Sequence, residues 1–316
     1  MEFNWEHGKG CKVAVIEASI NGSTQKPITT FLMRYWRAIH AEVMTHRVFS
    51  RNASSTRAIP TAKLIADIRN DPAGPVFWGK NQPGMQAREE LPEGTLVRHP
   101  VTGEWLSLKD AWRAAANAAA DWAEAFTNAG VHKQIAGRGT EPYGWITVCL
   151  TSTEWDNWYE LRDHKDAQPE IQDLAFTMKV AQAKATFRKI DHYKMQDARS
   201  WHLPFVTMEE RKSYPVTDLI RMSTARCART SYNNHDQSNP EVQKDIKLHD
   251  DLVVAEPIHA SPSEHQACAT PEHLSSGNFQ GGWGQYRKLL EVHGWEKIEE
   301  CIKLLKRNES TIMLSR

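Results

Sequence analysis

The apolar pattern divides the chain before any composition is considered. Residues 11–20 (CKVAVIEASI) are dense in β-branched and apolar types and predict a strand. The turn formers of NGSTQKP interrupt it, and 28–35 (ITTFLMRY) predicts a second strand. From Trp36 to His46 the period becomes helical, with Ile39, Val43 and Met44 near one face. Arg47 to Arg57 has neither period and reads as a loop. A short amphipathic helix is expected over Ala62–Arg69, after Pro60. Residues 71–105, where Pro and Gly recur, read as a long ordered loop.

Ser107 and Asp110 form an S-x-x-D start signal for a helix to about Asn128, stopped by Gly130. Its Ala114, Ala115, Ala118 and Ala119 predict close approach to another helix. Residues 143–151 (YGWITVCLT) predict a strand, and Thr153–Arg162 a helix. A longer helix is expected from Pro169 to about His192, with Ile171, Leu174, Met178 and Ala181 on one side. Further helices are expected at 217–229, 240–254, 285–293 and 296–306, with Asn239 and Pro240 as cap and first turn of the second. Residues 258–280 read as loop with a short strand. The chain shows no internal repeat, low-complexity tract or clear linker. The expected fold class is α+β, a single mixed domain over 1–316, with helices packed on a small antiparallel-type sheet. Within it 71–105 reads as an insertion and 270–316 as a C-terminal extension.

Composition narrows the function classes. At 316 residues the chain is long enough to bury a core. Its 39 basic and 39 acidic side chains balance, which argues against a bulk polyanion binder. No run of about 18 apolar residues suggests a membrane span, and no charged-then-apolar opening suggests a secretory signal. The 5 cysteines are odd in number and widely spaced, without CxxC, so neither a disulfide framework nor a thiolate zinc site is expected and a reducing cytoplasm fits. His259 and His265 lack a third ligand at zinc spacing, so no metal is expected. Cys149 reads as an inert core thiol, and Glu170 as a first-turn complement to the helix dipole. The 12 Trp read mainly as packing, with aromatic walls around a planar ligand as the alternative.

The strongest chemical signal is THRVFSRNASSTR, residues 45–57, dense in Arg, Ser and Thr at a helix end. Hydroxyls and free backbone N–H groups bind anionic oxygens, and Arg adds bidentate charge. Such a loop suits a nucleotide phosphate; a solvated basic loop is the alternative.

This string resembles the signature of the flavin-dependent thymidylate synthases, which reads RHR, a few residues, S, and a closing S-x-R. The matching positions are His46, Arg47, Ser50, Ser55 and Arg57. Thr45 stands where the signature has its first Arg, and Ala53 where it has an acid. LRDHKDAQPEI (161–171) is similar to the family's LR…AQ-x-EI segment and supplies Arg162. Arg138 in GRGTEP matches another nucleotide-contacting Arg, and Asn157 a flavin-contacting Asn. The family's N-A-R triplet just upstream is replaced by Thr151, Ser152 and Thr153. CARTSY (227–232) and HASPSEH (259–265) resemble elements that open the family's sequence, yet here they follow the rest. This order implies a circular permutation, as in a divergent, phage-like branch; termini that lie close at a surface tolerate such re-joining.

The resemblance implies an enzyme. FAD would be the cofactor, with NADPH and methylenetetrahydrofolate as co-substrates, and dUMP would receive a methyl group at C5. No Pro-Cys dipeptide is present to supply the enzyme nucleophile of the other route to thymidylate. The resemblance places Ser55, Arg57 and Arg138 on the nucleotide and Arg162 at the pyrimidine as the catalytic residue. It places His46, Arg47, Ser50, Asn157, Ser231, His259, Ser261 and His265 on FAD. It also implies a homotetramer with shared active sites. Two alternatives remain at this point. One is a related C5 methylase or hydroxymethylase of another pyrimidine nucleotide such as dCMP. The other is a non-enzymatic module binding nucleotides or nucleic acid.

Overall fold

The computed structural model describes residues 3–230, 241–253, 258–271 and 275–293. In chain order its strands are β1 (Glu6–His7), β2 (Cys11–Asn21), β3 (Pro27–Trp36), β4 (Ser50–Ala53), β5 (Leu96–Arg98), β6 (Trp105–Ser107), β7 (Trp145–Ser152), β8 (Arg188–Ile190), β9 (Trp201–His202), β10 (Ala267–Ala269) and β11 (Trp283–Gln285). Its helices are α1 (His40–Val43), α2 (Thr61–Asn70), α3 (Leu108–Asn128), α4 (Lys133–Ala136), α5 (Asp156–Arg162), α6 (Pro169–Lys184), α7 (Met208–Ser213), α8 (Val216–Ala228), α9 (Val242–Val253) and α10 (Tyr286–His293). None is long and apolar enough to cross a membrane.

The main sheet runs β1-β2-β3-β7-β4 with antiparallel neighbours, and β8 adds to β2 in parallel. Successive strand residues point to opposite faces. Register therefore puts Val13, Met33 and Val148 in one row and Val15, Phe31 and Leu150 in the next, on one face. That face packs on Ile171, Leu174 and Met178 of α6 and on Trp155 and Trp158. Each fully buried large apolar side chain contributes about 1.5–3 kcal/mol here. The other face carries Leu32, Thr30, Cys149 and Thr151.

A bulge between Val15 and Glu17 decides what else lies on that second face. Val15 pairs with Phe31, but Glu17 pairs with Thr30. The extra residue turns Glu17 away from the apolar α6 side and onto the polar side. The three-stranded sheet β11-β10-β9 supplies His202 to the same side. Its own core gathers Trp201, Leu219, Cys268, Tyr286 and Leu290.

Most expected elements are present, and the differences have physical reasons. The 45–57 segment is not all loop: β4 extends the sheet beside β7, because Asn52 and Ala53 find ladder partners in Cys149 and Val148. The 71–105 segment holds the hairpin strand β5, paired with β6, and an isolated bridge from Gly79 to Glu90. The helix expected to reach His192 ends at Lys184, since Ala185 turns extended and β8 pairs with the edge of β2. The N-cap of α3 is as read, with Ser107 Oγ accepting from Asp110 N, and Gly130 sits at φ 84° just beyond the helix. Its packed alanines are not the expected ones: Ala116, Ala120 and Ala123 face Ile65 and Ile68 of α2. The expected 296–306 helix and the Asn239–Pro240 cap lie outside the described residues.

Candidate active site

Arg162 is the last residue of α5, held at the side of the Trp36–His46 turn. Its Nε donates to His46 Nε2 at 3.2 Å, Nη1 to Glu42 Oε2 at 3.1 Å, and Nη2 to Thr45 Oγ1 at 3.4 Å. Accepting at Nε2 makes His46 a neutral ring with its proton on Nδ1. Burial, then the Arg162 and Arg51 charges, lower the His46 pKa and keep the ring neutral. The ring stacks on Phe49 at 5.6 Å and meets the edge of Trp158 at 4.8 Å. His46 and Arg162, expected separately on flavin and pyrimidine, are in direct contact. Arg162 and Glu42 lie on the wall of an open groove of about 1280 Å³, with Trp36, Phe77, Met85 and Gln86. The 71–105 segment forms part of this wall. It is pinned by Glu170, whose Oε1 accepts from Val76 N at 3.0 Å, and by Gln86 Nε2 donating to Asp166 O at 2.9 Å. Glu170 therefore ties two segments together rather than only facing a helix dipole.

Glu141 ties the Arg138 turn to Thr56, which stands between Ser55 and Arg57. Arg138 Nη1 donates to Glu141 Oε1 at 2.8 Å, and Thr56 Oγ1 donates to the same oxygen at 2.7 Å. Arg57 is exposed, with its N–H on Ser55 Oγ at 3.3 Å. Trp36 lines the groove and donates from Nε1 to Pro142 O at 2.7 Å, which links the Arg138 turn to the groove.

A smaller cavity of about 230 Å³ lies beside β4, lined by His40, Arg51, Asn52, Ala228, His259 and Ser261. The late CARTSY element is bonded here to the 45–57 signature: Thr230 Oγ1 donates to Asn52 O at 3.3 Å and Asn52 Nδ2 to Cys227 O at 3.4 Å. His40 Nδ1 lies 2.8 Å from the Tyr35 hydroxyl. Burial pushes the Tyr35 phenol up, while burial and then Arg37 and Arg51 push His40 down to about 4. The phenol is therefore the donor and His40 the neutral acceptor.

Other expected residues go elsewhere. Ser50 is fully buried and its Oγ accepts from Gln285 Nε2 at 3.1 Å, so it faces the core rather than either opening. His265 is also fully buried, 2.8 Å from Thr151 Oγ1. Arg47 and Asn157 are exposed, and Asn157 stands about 140° around α5 from Arg162. Ser231 lies outside the described residues. Sequence reasoning missed His40, Glu42, Arg51 and Asn52; all four had a signal in lying within or just before the signature.

A largely buried polar chain runs along the second face of the sheet, its Glu17 end lining a further groove with Arg188 and Arg211. Ser19 Oγ donates to Glu17 Oε1 at 3.3 Å, so its oxygen accepts from His202 Nδ1 at 3.0 Å. His202 Nε2 then accepts from Thr30 Oγ1 at 2.8 Å, Thr30 from Thr151 at 2.7 Å, and Thr151 from His265 Nδ1 at 2.8 Å. Burial drives His202 down to about 4. Glu17 anchors the far end: burial raises its pKa, but Arg211, His202 and Arg188 outweigh that and hold it at about 2. Cys149, read as an inert thiol, has Sγ 3.7 Å from His265 Nδ1. Burial opposes its ionisation, but the Cys227 thiol and His265 more than offset this and draw it down to about 6.

No curated protein matches the chain. The family model described as thymidylate synthase complementing protein matches residues 22–186. Among solved structures, the chain is similar to a UMP/dUMP methylase, PolB from Streptomyces cacaoi, bound with 5-Br UMP. That likeness has 17% identity and a TM-score of 0.36, over 55% of this chain and 89% of the other. The same methylase bound with 5-Br dUMP matches at 17% identity and a TM-score of 0.38, over 55% of this chain and 90% of the other.

Proposed function

Because the chain belongs to the thymidylate synthase complementing protein family, the flavin-dependent methyltransferases of thymidylate synthase type, we propose that it transfers a one-carbon unit from methylenetetrahydrofolate to C5 of dUMP, with FAD as cofactor and NADPH as reductant. The observation that carries this reading is the contact of Arg162 with His46 on the wall of the large groove.

Arg162 is held by Glu42, His46 and Thr45, and a guanidinium has further N–H donors left for a ligand. Placed at a pyrimidine carbonyl, those donors stabilise the negative charge that develops as C5 reacts. The neutral His46 fixes the guanidinium plane and takes no charge itself. Arg57, Ser55 and Arg138 hold the phosphate; Arg138 exchanges part of its bond to Glu141 for it. Phe77, Met85 and Gln86 close the groove from the 71–105 side and limit access of water.

FAD, when bound, supplies the redox chemistry and the carbon relay that no side chain here provides. The residues around the smaller cavity fit it in part. Arg51, Asn52, His259 and Ser261 offer a cation and neutral donors suited to phosphate and ring edges. The volume of about 230 Å³ falls below the roughly 300–1,000 Å³ of common ligand pockets, so one chain cradles only a portion of the cofactor. Arg47 and Asn157 at exposed positions and the buried His46 behind Arg162 complete the set, and a second copy of the chain supplies the rest. This supports a homotetramer with shared sites, as do the exposed Trp122 and Phe126 side by side on α3. The bonds from Thr230 and Asn52 support the permuted order, since they seat the late CARTSY element on the early signature.

A second reading, modification of another pyrimidine nucleotide, is favoured by one observation. Thr45, where the signature has Arg, lies on Arg162 itself and removes a cation from the nucleotide side. Calorimetric titration with dUMP and with dCMP, with and without FAD, tests both. Saturable dUMP binding, weakened about tenfold or more by Arg57→Ala, is the expected result. Binding of dCMP alone moves the conclusion to the second reading, and binding of neither overturns both.

A further inference from the structure

The fold gathers three soft or borderline donors that the sequence keeps far apart. Cys149 comes from β7, Cys227 from α8, and His265 from the turn before β10. A ligand atom of each lies within 4.8 Å of the others, and all three residues are buried. An ion among three points so spaced sits no more than about 2.8 Å from each, against roughly 2.3 Å for zinc–sulfur and roughly 2.0–2.1 Å for zinc–nitrogen bonds. Small side-chain adjustments bring the three donors to bonding distance, and a water takes the fourth position. We propose that Cys149, Cys227 and His265 bind a zinc ion in the core, independently of the one-carbon reaction.

Two further observations point to a cation. The first is His265 itself. Its Nδ1 lies 2.8 Å from Thr151 Oγ1 and 3.7 Å from Cys149 Sγ, while Nε2 is buried without a hydrogen-bond partner, so the ring has a lone pair to spare beside the thiols. A ring with one nitrogen fixed by a neighbour and a buried lone pair to spare is how metal-ligating histidines are commonly held. The second is charge balance. Two thiolates, one neutral imidazole and Zn²⁺ sum to zero, so the occupied site carries no net charge into the core, whereas a bare thiolate would. On binding, zinc displaces the thiol protons to solvent and no electron moves.

The placement also assigns a role. Cys149 lies inside the family-matched span 22–186, while Cys227 and His265 lie beyond it. A zinc ion would clamp the α8–β10 portion onto the main sheet, next to the cavity lined by Ala228 and His259.

The test is elemental analysis by mass spectrometry of protein purified without chelator, then stripped and reloaded with ZnCl₂. About one zinc per chain, with a higher Tm on reloading, is expected. Cys227→Ser removes the bound zinc, whereas Cys268→Ser, at a buried thiol outside the cluster, retains it. Thr151→Val weakens zinc affinity about 10–100-fold by freeing the imidazole. If the cysteine variant fails to fold, cobalt loading of the unaltered protein decides, through its thiolate-to-cobalt charge-transfer band. Absence of that band, less than about a tenth of a zinc per chain after reloading, or a Cys149–Cys227 disulfide in the isolated protein overturns the proposal.

Discussion

The Arg162 cluster and the chain from Glu17 to His265 are both networks of hydrogen-bonded polar side chains, yet they use different chemistry because they meet water differently. At the groove a charged pair, Arg162 with Glu42, is partly exposed, at 22% and 38% of their side-chain surfaces, and solvent bears most of the cost of its charge. In the largely buried chain the links are hydroxyls and neutral imidazoles, each donating in one direction. At its Glu17 end Arg188 and Arg211 surround a carboxylate. The groove keeps cations free to bind; the core spends its polar groups on fixing the second face of the sheet. Mutations at the groove should therefore change turnover, and mutations in the chain should change stability.

The strongest challenge to that division is Glu17→Ala. It strands Arg211, whose side chain is 7% exposed, and should cost about 3–5 kcal/mol in urea denaturation. A loss below about 1 kcal/mol would mean that the chain is not an anchor. Next is Arg162→Ala, which should lower kcat about 10²–10³-fold while the urea midpoint stays nearly unchanged. Equal losses in both quantities would erase the contrast. Thr30→Val removes the hydroxyl between Thr151 and His202 and should cost about 1–3 kcal/mol, with turnover retained.

The finest discrimination comes from pH. His202 and His40 fall from 6.5 to about 4 on folding. Between those values the unfolded chain takes up protons that the folded chain refuses, so stability should fall as pH drops from about 6.5 to 4. Glu17, held at about 2 against 4.5, adds a further loss as pH falls below 4.5. Denaturation midpoints across this range should show both phases, and Glu17→Gln should shrink the lower one, to which the lowered Glu210 and Asp250 also contribute.

Much of the scaffold was legible because long periodic segments dominate their own structure. β2, β3, α3 and α8 lie close to where alternation and helical period put them. The signature resemblance named both His46 and Arg162, which the fold places in contact. Short elements were not legible, since four residues of β4 or three of β8 carry too few positions to set a period. They form because a sheet edge is available, which is tertiary information. The bulge at Val15 and Glu17 was hidden for the same reason: the run reads as unbroken strand, and only pairing with β3 reveals that Glu17 changes face. Ligand spacing likewise fails for Cys149, Cys227 and His265, which become neighbours only when α8 and the second sheet close on β7.

The most direct measurement is mass spectrometry of the nucleotide product formed from dUMP with FAD, NADPH and methylenetetrahydrofolate carrying ¹³C in its transferable carbon. The expected product is dTMP with the label in its C5 methyl group, and about 10²–10³-fold less of it from Arg162→Ala. Unlabelled dUMP recovered intact from a protein that holds flavin and binds the nucleotide would contradict the proposed reaction.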